Sequence, residues 1–256
     1  MEKLMLRKWI KKVVLKIKPL RTIYHWFDRK LSQSFRLLTR WEVKIEPKFR
    51  LKPVSRSFGL NRGLPIDRYY IENFLARHAL DIKGRVLEIG ENTYTRRFGK
   101  NRVKISDVLN LAKESPETTI VTDLTSAKNI PSGSFDCIIL TQTLQMIYDL
   151  RSAMRTLYRI LKPGGVLLVT IPGISQISRY DMVRWGDYWR FTTKSAFYLF
   201  KEQFPERNIK IESYGNVAVA VSYLHGLATE ELTKKVLNYR DRDYQVLITV
   251  RAIKSA

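Results

Sequence analysis

Three carboxylates stand at or beside the ends of short apolar runs in mid-chain: Glu88 in "RVLEIG", Asp107 in "VKISD" and Asp123 in "VTDL". If these runs are neighbouring parallel strands, all three side chains reach one edge of a sheet. Ligands of open α/β sheets collect beyond the carboxyl ends of the strands, where successive connections leave toward opposite faces. Taken singly, each acidic residue also reads as a helix cap or turn former. Taken together, they suit a ligand with a vicinal diol, an amino group and an exocyclic amine. They do not suit a polyphosphate, and neither GxxxxGK[ST] nor a complete GxGxxG occurs. A fourth run, "FDCIILT", brings Thr141 and Gln142 to the same edge.

The second stretch with chemistry is "ISQISRYDMVRWGDYWRFTTKS", residues 174–195. Tyr180, Trp185, Tyr188 and Trp189 offer aromatic faces beside Asp187 and Arg190, a combination that suits a sugar ring or another flat, polar acceptor. The plainer alternative is a packed loop with core tryptophans and an Arg190 ion pair. Asp187 and His225 are the candidate proton acceptors, although a lone histidine in "SYLHGLA" also fits a structural place. No His/Cys/carboxylate cluster has metal-ligand spacing, so no metal is expected.

The elements that must position these residues alternate from Pro65 onward. "PIDRYYIENFLARHAL" opens a helix with Tyr70, Ile71, Phe74 and Leu75 on one side. Strands are predicted over 85–90, 102–106, 119–124, 135–141 and 165–171. A helix over 149–161 turns Leu150, Met154, Leu157, Tyr158 and Leu161 inward and stops before Pro163-Gly164-Gly165. "NIKIESYG" and "YQVLITVRAI" supply two more strands. Short apolar strands alternating with helices predict a parallel sheet covered on both faces.

The chain of 256 residues has 45% hydrophobic and 11% aromatic residues, which argues against disorder, and carries a net charge of +22. Residues 1–62 hold 18 Lys/Arg against 4 Asp/Glu, or +14 of that charge. Two regions follow: a basic extension with its linker over 1–62, and the α/β domain over 63–256. Residues 4–38 space Leu6, Trp9, Ile10, Val13, Val14 and Ile17 helically among lysines, and the pattern resumes after Pro19. Such a stripe fits a helix in an anionic membrane interface or one packed on the body; an RNA-binding arm is a third use. Residues 41–63, punctuated by Pro47, Pro53, Gly59 and Gly63, read as an extended linker. No run of 18 apolar residues and no secretory signal is visible. The single Cys137 excludes an internal disulfide and suits a reducing interior. A cytoplasmic protein is expected, held on the inner face of the membrane if the stripe is interfacial.

"VLEIG", Asp107, "TDL", "GSFDCIILTQTLQMI" and "LKPGGVLLVTIPG" together resemble the ordered motifs of class I S-adenosylmethionine-dependent methyltransferases, type-11 group, over residues 67–253. "RGLPIDRYYIENFL" and "DYWRFT" are similar to glycan-cluster methyltransferases. The resemblance implies a Rossmann-like sheet of seven strands with an antiparallel last strand. It also implies S-adenosylmethionine as cofactor and methyl transfer to a small sugar or glycan-type acceptor. In that scheme Gly90 lets the backbone approach the methionyl part, Glu88 lies near its ammonium, and Asp107 accepts from the ribose. Asp123 accepts from the adenine amine with Leu124 beside the ring, and Thr141 and Gln142 line the pocket floor. The departure is the loop Gly90-Glu91-Asn92-Thr93-Tyr94, where the family writes G-x-G-x-G; Asn92 suits a left-handed position, and Tyr94 must cover the ligand or fill space. The fourth strand is followed by "TQTL" and not by the [DN]PP[FYW] of adenine amino-methylating enzymes, and Cys137 lies inside a strand and not near a loop as C5-cytosine methylation needs, so the resemblance disfavours nucleic-acid base methylation. RNA ribose methylation and a non-catalytic methyltransferase fold stay as alternatives.

Overall fold

The computed structural model describes residues 51–113 and 115–255. The helical stripe expected over 4–38 lies outside the described residues. Helix α1 (Ile66–Arg77) precedes β1 (Gly84–Ile89), which leads through a π-helical turn (Thr95–Gly99) into β2 (Val103–Asn110). Then come β3 (Ile120–Val121), β4 (Phe135–Thr141), α2 (Leu150–Ile160), β5 (Leu161–Pro172), α3 (Arg179–Arg184) and α4 (Thr193–Lys201). The chain closes with β6 (Ile209–Tyr214), α5 (Val217–Leu224), α6 (Lys234–Asn238) and β7 (Leu247–Ile253).

The seven strands form one sheet in the order β3-β2-β1-β4-β5-β7-β6. β1 pairs in parallel with β2 and β4, whereas β7 runs antiparallel to both β5 and β6. The expected Rossmann-like architecture is therefore present. Strand residues alternate between two cores. Leu87, Ile138, Leu140 and Val169 pack with α2 and α4. Val86, Cys137, Ile139 and Leu168 pack with α1 and α5. This period of two explains why buried parallel strands read as continuous apolar runs.

Helix α2 forms because Asp149 caps it, accepting from the Ser152 N–H at 3.0 Å, and because Met154, Leu157 and Ile160 fall on one stripe. Each of those buried side chains contributes about 1.5–3 kcal/mol by leaving water. Its end flows straight into β5, which absorbs the Pro163-Gly164-Gly165 stop with Gly164 at φ +73°. The last part of the expected linker is seated on the body: the Val54 and Ser55 N–H groups donate to the His225 carbonyl, and Arg62 pairs with Glu231. Among the described residues no helix is long and apolar enough to cross a membrane.

Candidate cofactor and acceptor site

Connections from β1 step outward to β2 and β3, while β4 and β5 lie on its other side, so the topological switch falls between β1 and β4. A crevice of about 530 Å³ opens beyond the strand ends there. Five of the expected cofactor residues line it: Gly90, Asp123, Leu124, Thr141 and Gln142. From residues 174–195, Trp185 and Tyr188 line it too. That volume lies in the usual range for small-molecule and cofactor sites.

Each floor residue has a local reason for its place. Gly90 leaves β1 at φ +88°, and a Cβ built there would meet nothing within 4 Å. The glycine keeps its backbone open to a ligand, and its N–H is already held by the Leu109 carbonyl at 3.1 Å. Asp123 opens a turn: one carboxylate oxygen accepts from the Thr125 N–H and hydroxyl at 2.7 and 2.8 Å. Gln142 sits at φ +49°, a strained backbone for a residue with a side chain. Its Oε1 accepts from Gln145 Nε2 at 3.2 Å, whereas Gln142 Nε2 and Gln145 Oε1 are buried without partners among the described residues. An orphaned donor in a crevice wall fits a site completed by a ligand.

Three expected cofactor residues lie elsewhere. Asp107 is not at a strand end: β2 continues to Asn110, three residues or about 10 Å further. The Asp107 carboxylate is consumed by Arg85 Nε at 2.7 Å and the Thr119 hydroxyl at 2.9 Å, away from the crevice lining. The residue that reaches the crevice from β2 is Asn110. Its Nδ2 donates to the Gly90 carbonyl at 3.2 Å and to the Thr118 hydroxyl at 2.8 Å, and its Oδ1 is left to accept. Reading β2 to its full eight residues would have found it.

Glu88 turns to the other face, 2% exposed, and accepts the N–H groups of Tyr94 at 3.2 Å and Thr95 at 2.7 Å. Burial pushes its carboxyl up to about 7, against the pull of those donors. Asn92 is buried with Nδ2 on the Ser106 hydroxyl at 3.3 Å, and it is not among the left-handed residues expected of a glycine substitute. Tyr94 neither covers nor fills the crevice. It packs into the core below α1, its hydroxyl accepting from Arg68 Nη1 at 2.6 Å.

The lid residues divide as well. Trp189 is partly buried and donates from Nε1 to the Ile147 carbonyl at 3.0 Å. Tyr180 is exposed and pairs edge-on with Trp185 at 6.1 Å. Arg190 grips Asp187 through both terminal nitrogens, at 2.5 and 2.9 Å. Burial alone would raise the Asp187 carboxyl, but Arg190 and the Ser178 N–H hold it below its ordinary value. Asp187 is thus committed to a structural ion pair and does not line the crevice. His225 caps the end of α5, and helix α5 packs in the core on the other sheet face. Neither expected proton acceptor reaches the crevice. Missed in the sequence were Met146, Ile147 and Tyr148, which line it from the turn after β4. Tyr148 meets Tyr188 edge-on at 5.4 Å and stacks on Trp189 at 6.0 Å. Among the described residues no group of three His, Cys, Asp or Glu could hold a metal ion.

A sheet of this order with a crevice above Gly90 is the Rossmann-like methyltransferase fold. In keeping with it, residues 77–169 match the family described as "Methyltransferase domain". The chain is 46% identical over 55 residues to the ubiquinone/menaquinone biosynthesis C-methyltransferase UbiE of Pectobacterium atrosepticum, covering 20% of this chain and 22% of that protein. It thus spans about a fifth of the length of that curated relative. Among solved structures it is similar to a protein of Galdieria sulphuraria assigned as a sarcosine dimethylglycine methyltransferase. That likeness has 15% identity and a TM-score of 0.50 over 73% of this chain and 86% of the other, and it is one of fold. A SAM-dependent methyltransferase of Archaeoglobus fulgidus aligns at 14% identity and a TM-score of 0.49, over 73% and 94% of the two chains.

Proposed function

We propose that the protein is an S-adenosylmethionine-dependent methyltransferase acting on a small sugar or glycan-type acceptor near a membrane surface. The observation that carries this reading is the convergence of Gly90, Asp123, Leu124, Thr141 and Gln142 on one crevice. The residues fit the cofactor. Gly90 leaves open space above its backbone, Asp123 and the Asn110 amide oxygen accept from amine and hydroxyl groups, and Gln142 Nε2 has a donor to spare. The cofactor supplies an electrophilic methyl group on a sulfonium. The protein's part is to hold the acceptor in line with it, which supplies much of the rate.

Trp185 and Tyr188 form the acceptor wall, their flat faces suited to a sugar ring. Among the described residues, the ionisable side chains lining the crevice are Asp123, Asp149 and two tyrosines, with no lysine or arginine. That lining favours a neutral acceptor over a nucleic-acid backbone. Calorimetric titration of the full chain with S-adenosylmethionine and S-adenosylhomocysteine tests the cofactor. Saturable binding that Asp123→Ala weakens is expected; no binding at millimolar ligand with the fold intact overturns the proposal. A screen for label transfer from methyl-labelled cofactor to sugar-containing acceptors then tests the acceptor class.

A further inference from the structure

Helix α3 differs from the short α-helices α5 and α6: not one of its residues is buried. It nevertheless carries Tyr180, Met182 and Val183, with Val183 84% exposed, and Ile177 is 59% exposed just before it. These side chains form no part of either core. They continue through Trp185 and Tyr188 to the lip of the crevice, where Tyr148 is also exposed. An apolar ridge at a crevice mouth marks a contact surface.

The charges around it choose the occupant. Arg179 and Arg184 are exposed on α3 against one carboxylate, Asp181, and the Arg184 guanidinium lies 3.4 Å from the centre of the Tyr180 ring. The chain as a whole carries +22. A second copy would bring the same positive surface against itself. An anionic bilayer takes aliphatic side chains into its acyl boundary, tyrosines at the headgroups and arginines against lipid phosphates. We infer that Ile177, Tyr180, Met182 and Val183 seat the crevice mouth on an anionic lipid surface. An acceptor held in the bilayer would then enter past Tyr188. This last step rests on the proposed methyltransferase reading; the lipid contact does not.

The test uses the full chain carrying Val183→Cys, labelled with an environment-sensitive fluorophore. Cys137 is fully buried in β4 and stays unlabelled. Phosphatidylglycerol-containing vesicles should shift the emission to the blue, and pure phosphatidylcholine vesicles should not. Ile177→Asp with Val183→Asp should weaken vesicle binding by at least about tenfold, as expected for a valine no longer buried. Sedimentation with vesicles and an unshifted probe would place the contact elsewhere in the chain and overturn the inference. A probe already blue-shifted without lipid would also overturn it, because another segment or a second copy would be covering the ridge. Cofactor titration of the same sample separates the two claims: a shifted probe without cofactor binding sinks the enzymatic reading and leaves the lipid contact standing.

Discussion

Gly90→Ala separates the crevice from the rest of the fold. The residue sits at φ +88°, so an alanine there costs about 1–2 kcal/mol of conformational strain. Among the described residues nothing beyond its chain neighbours lies within 4 Å of the new Cβ, so no clash adds to that cost. At roughly 2–4 °C per kcal/mol for a domain of this size, the melting temperature should fall by about 2–8 °C. The same methyl group projects into the space assigned to the cofactor. Crowding a packed contact by one methyl costs about 1–3 kcal/mol, or roughly 5- to 150-fold in Kd. Gly173→Ala is the control with the opposite signature, since its Cβ would overlap the Gln245 carbonyl oxygen on β7's approach. Backbone atoms cannot step aside, so that variant should lose far more stability. Calorimetry and thermal melts on the three proteins give the answer. If Gly90→Ala melts a few degrees lower and binds S-adenosylmethionine as tightly as the parent, the cofactor does not lie above Gly90.

Four other variants probe the surrounding supports. Burial raises Glu88 from an ordinary 4.5 to about 7, so its share of stability is full below 4.5 and is lost as pH rises through 7. That share is on the order of 3 kcal/mol, and melts of Glu88→Gln between pH 4.5 and 7.5 should lack the decline. Arg190→Ala strands the Asp187 carboxylate, 4% exposed, and should cost about 2–4 kcal/mol in thermal or denaturant melts while leaving cofactor affinity unchanged. Tyr94→Gly would place a glycine at the last position of a G-x-G-x-G pattern, yet it removes a core side chain and should destabilise by about 3–5 kcal/mol in urea titration. Gln142→Gly releases a strained backbone at φ +49° but strips the buried Gln145 Nε2 of its acceptor, two effects of about 1–3 kcal/mol each and opposite sign, so thermal melts should move little while cofactor binding weakens in calorimetry.

Much of the fold was legible because buried strands and an amphipathic helix leave strong local patterns. β4 falls on Phe135–Thr141 as expected, and α2 lies within one residue of its expected ends. The end of β2 was not legible. Ser106-Asp107 looks like a polar stop, but Arg85 from β1 and Thr119 from the approach to β3 neutralise that carboxylate inside the sheet. Such cross-chain partners have no local signature, and the three-residue error put the wrong side chain at the crevice. Asp187 was misplaced for a different reason: its partner Arg190, three residues on, is visible in the sequence, but the burial that commits the pair to the structure is not. His225 failed for another reason: its neighbours "SYLHGLA" form the end of a helix on the opposite face, and periodicity alone does not say which face a helix covers.

The glycine-poor loop follows from how its parts are held. A G-x-G-x-G turn approaches a ligand closely because its backbone takes left-handed conformations freely. Here Gly90 does so, and neither Asn92 nor Tyr94 has a positive φ. After Gly90 the chain passes through Glu91–Tyr94 into the π-helical turn over Thr95–Gly99, with Tyr94 as its N-cap in right-handed conformation. The turn leaves N–H groups unpaired at its start, and Glu88 takes two of them from below. Arg68 anchors the outer side by donating to the Tyr94 hydroxyl, with its guanidinium 5.8 Å from the ring centre. Bonds to a carboxylate and a guanidinium thus do the fixing that close glycine packing does elsewhere. Tyr94 is carried away from the crevice, and within Gly90–Tyr94 the residue that lines it is Gly90, with its backbone left open.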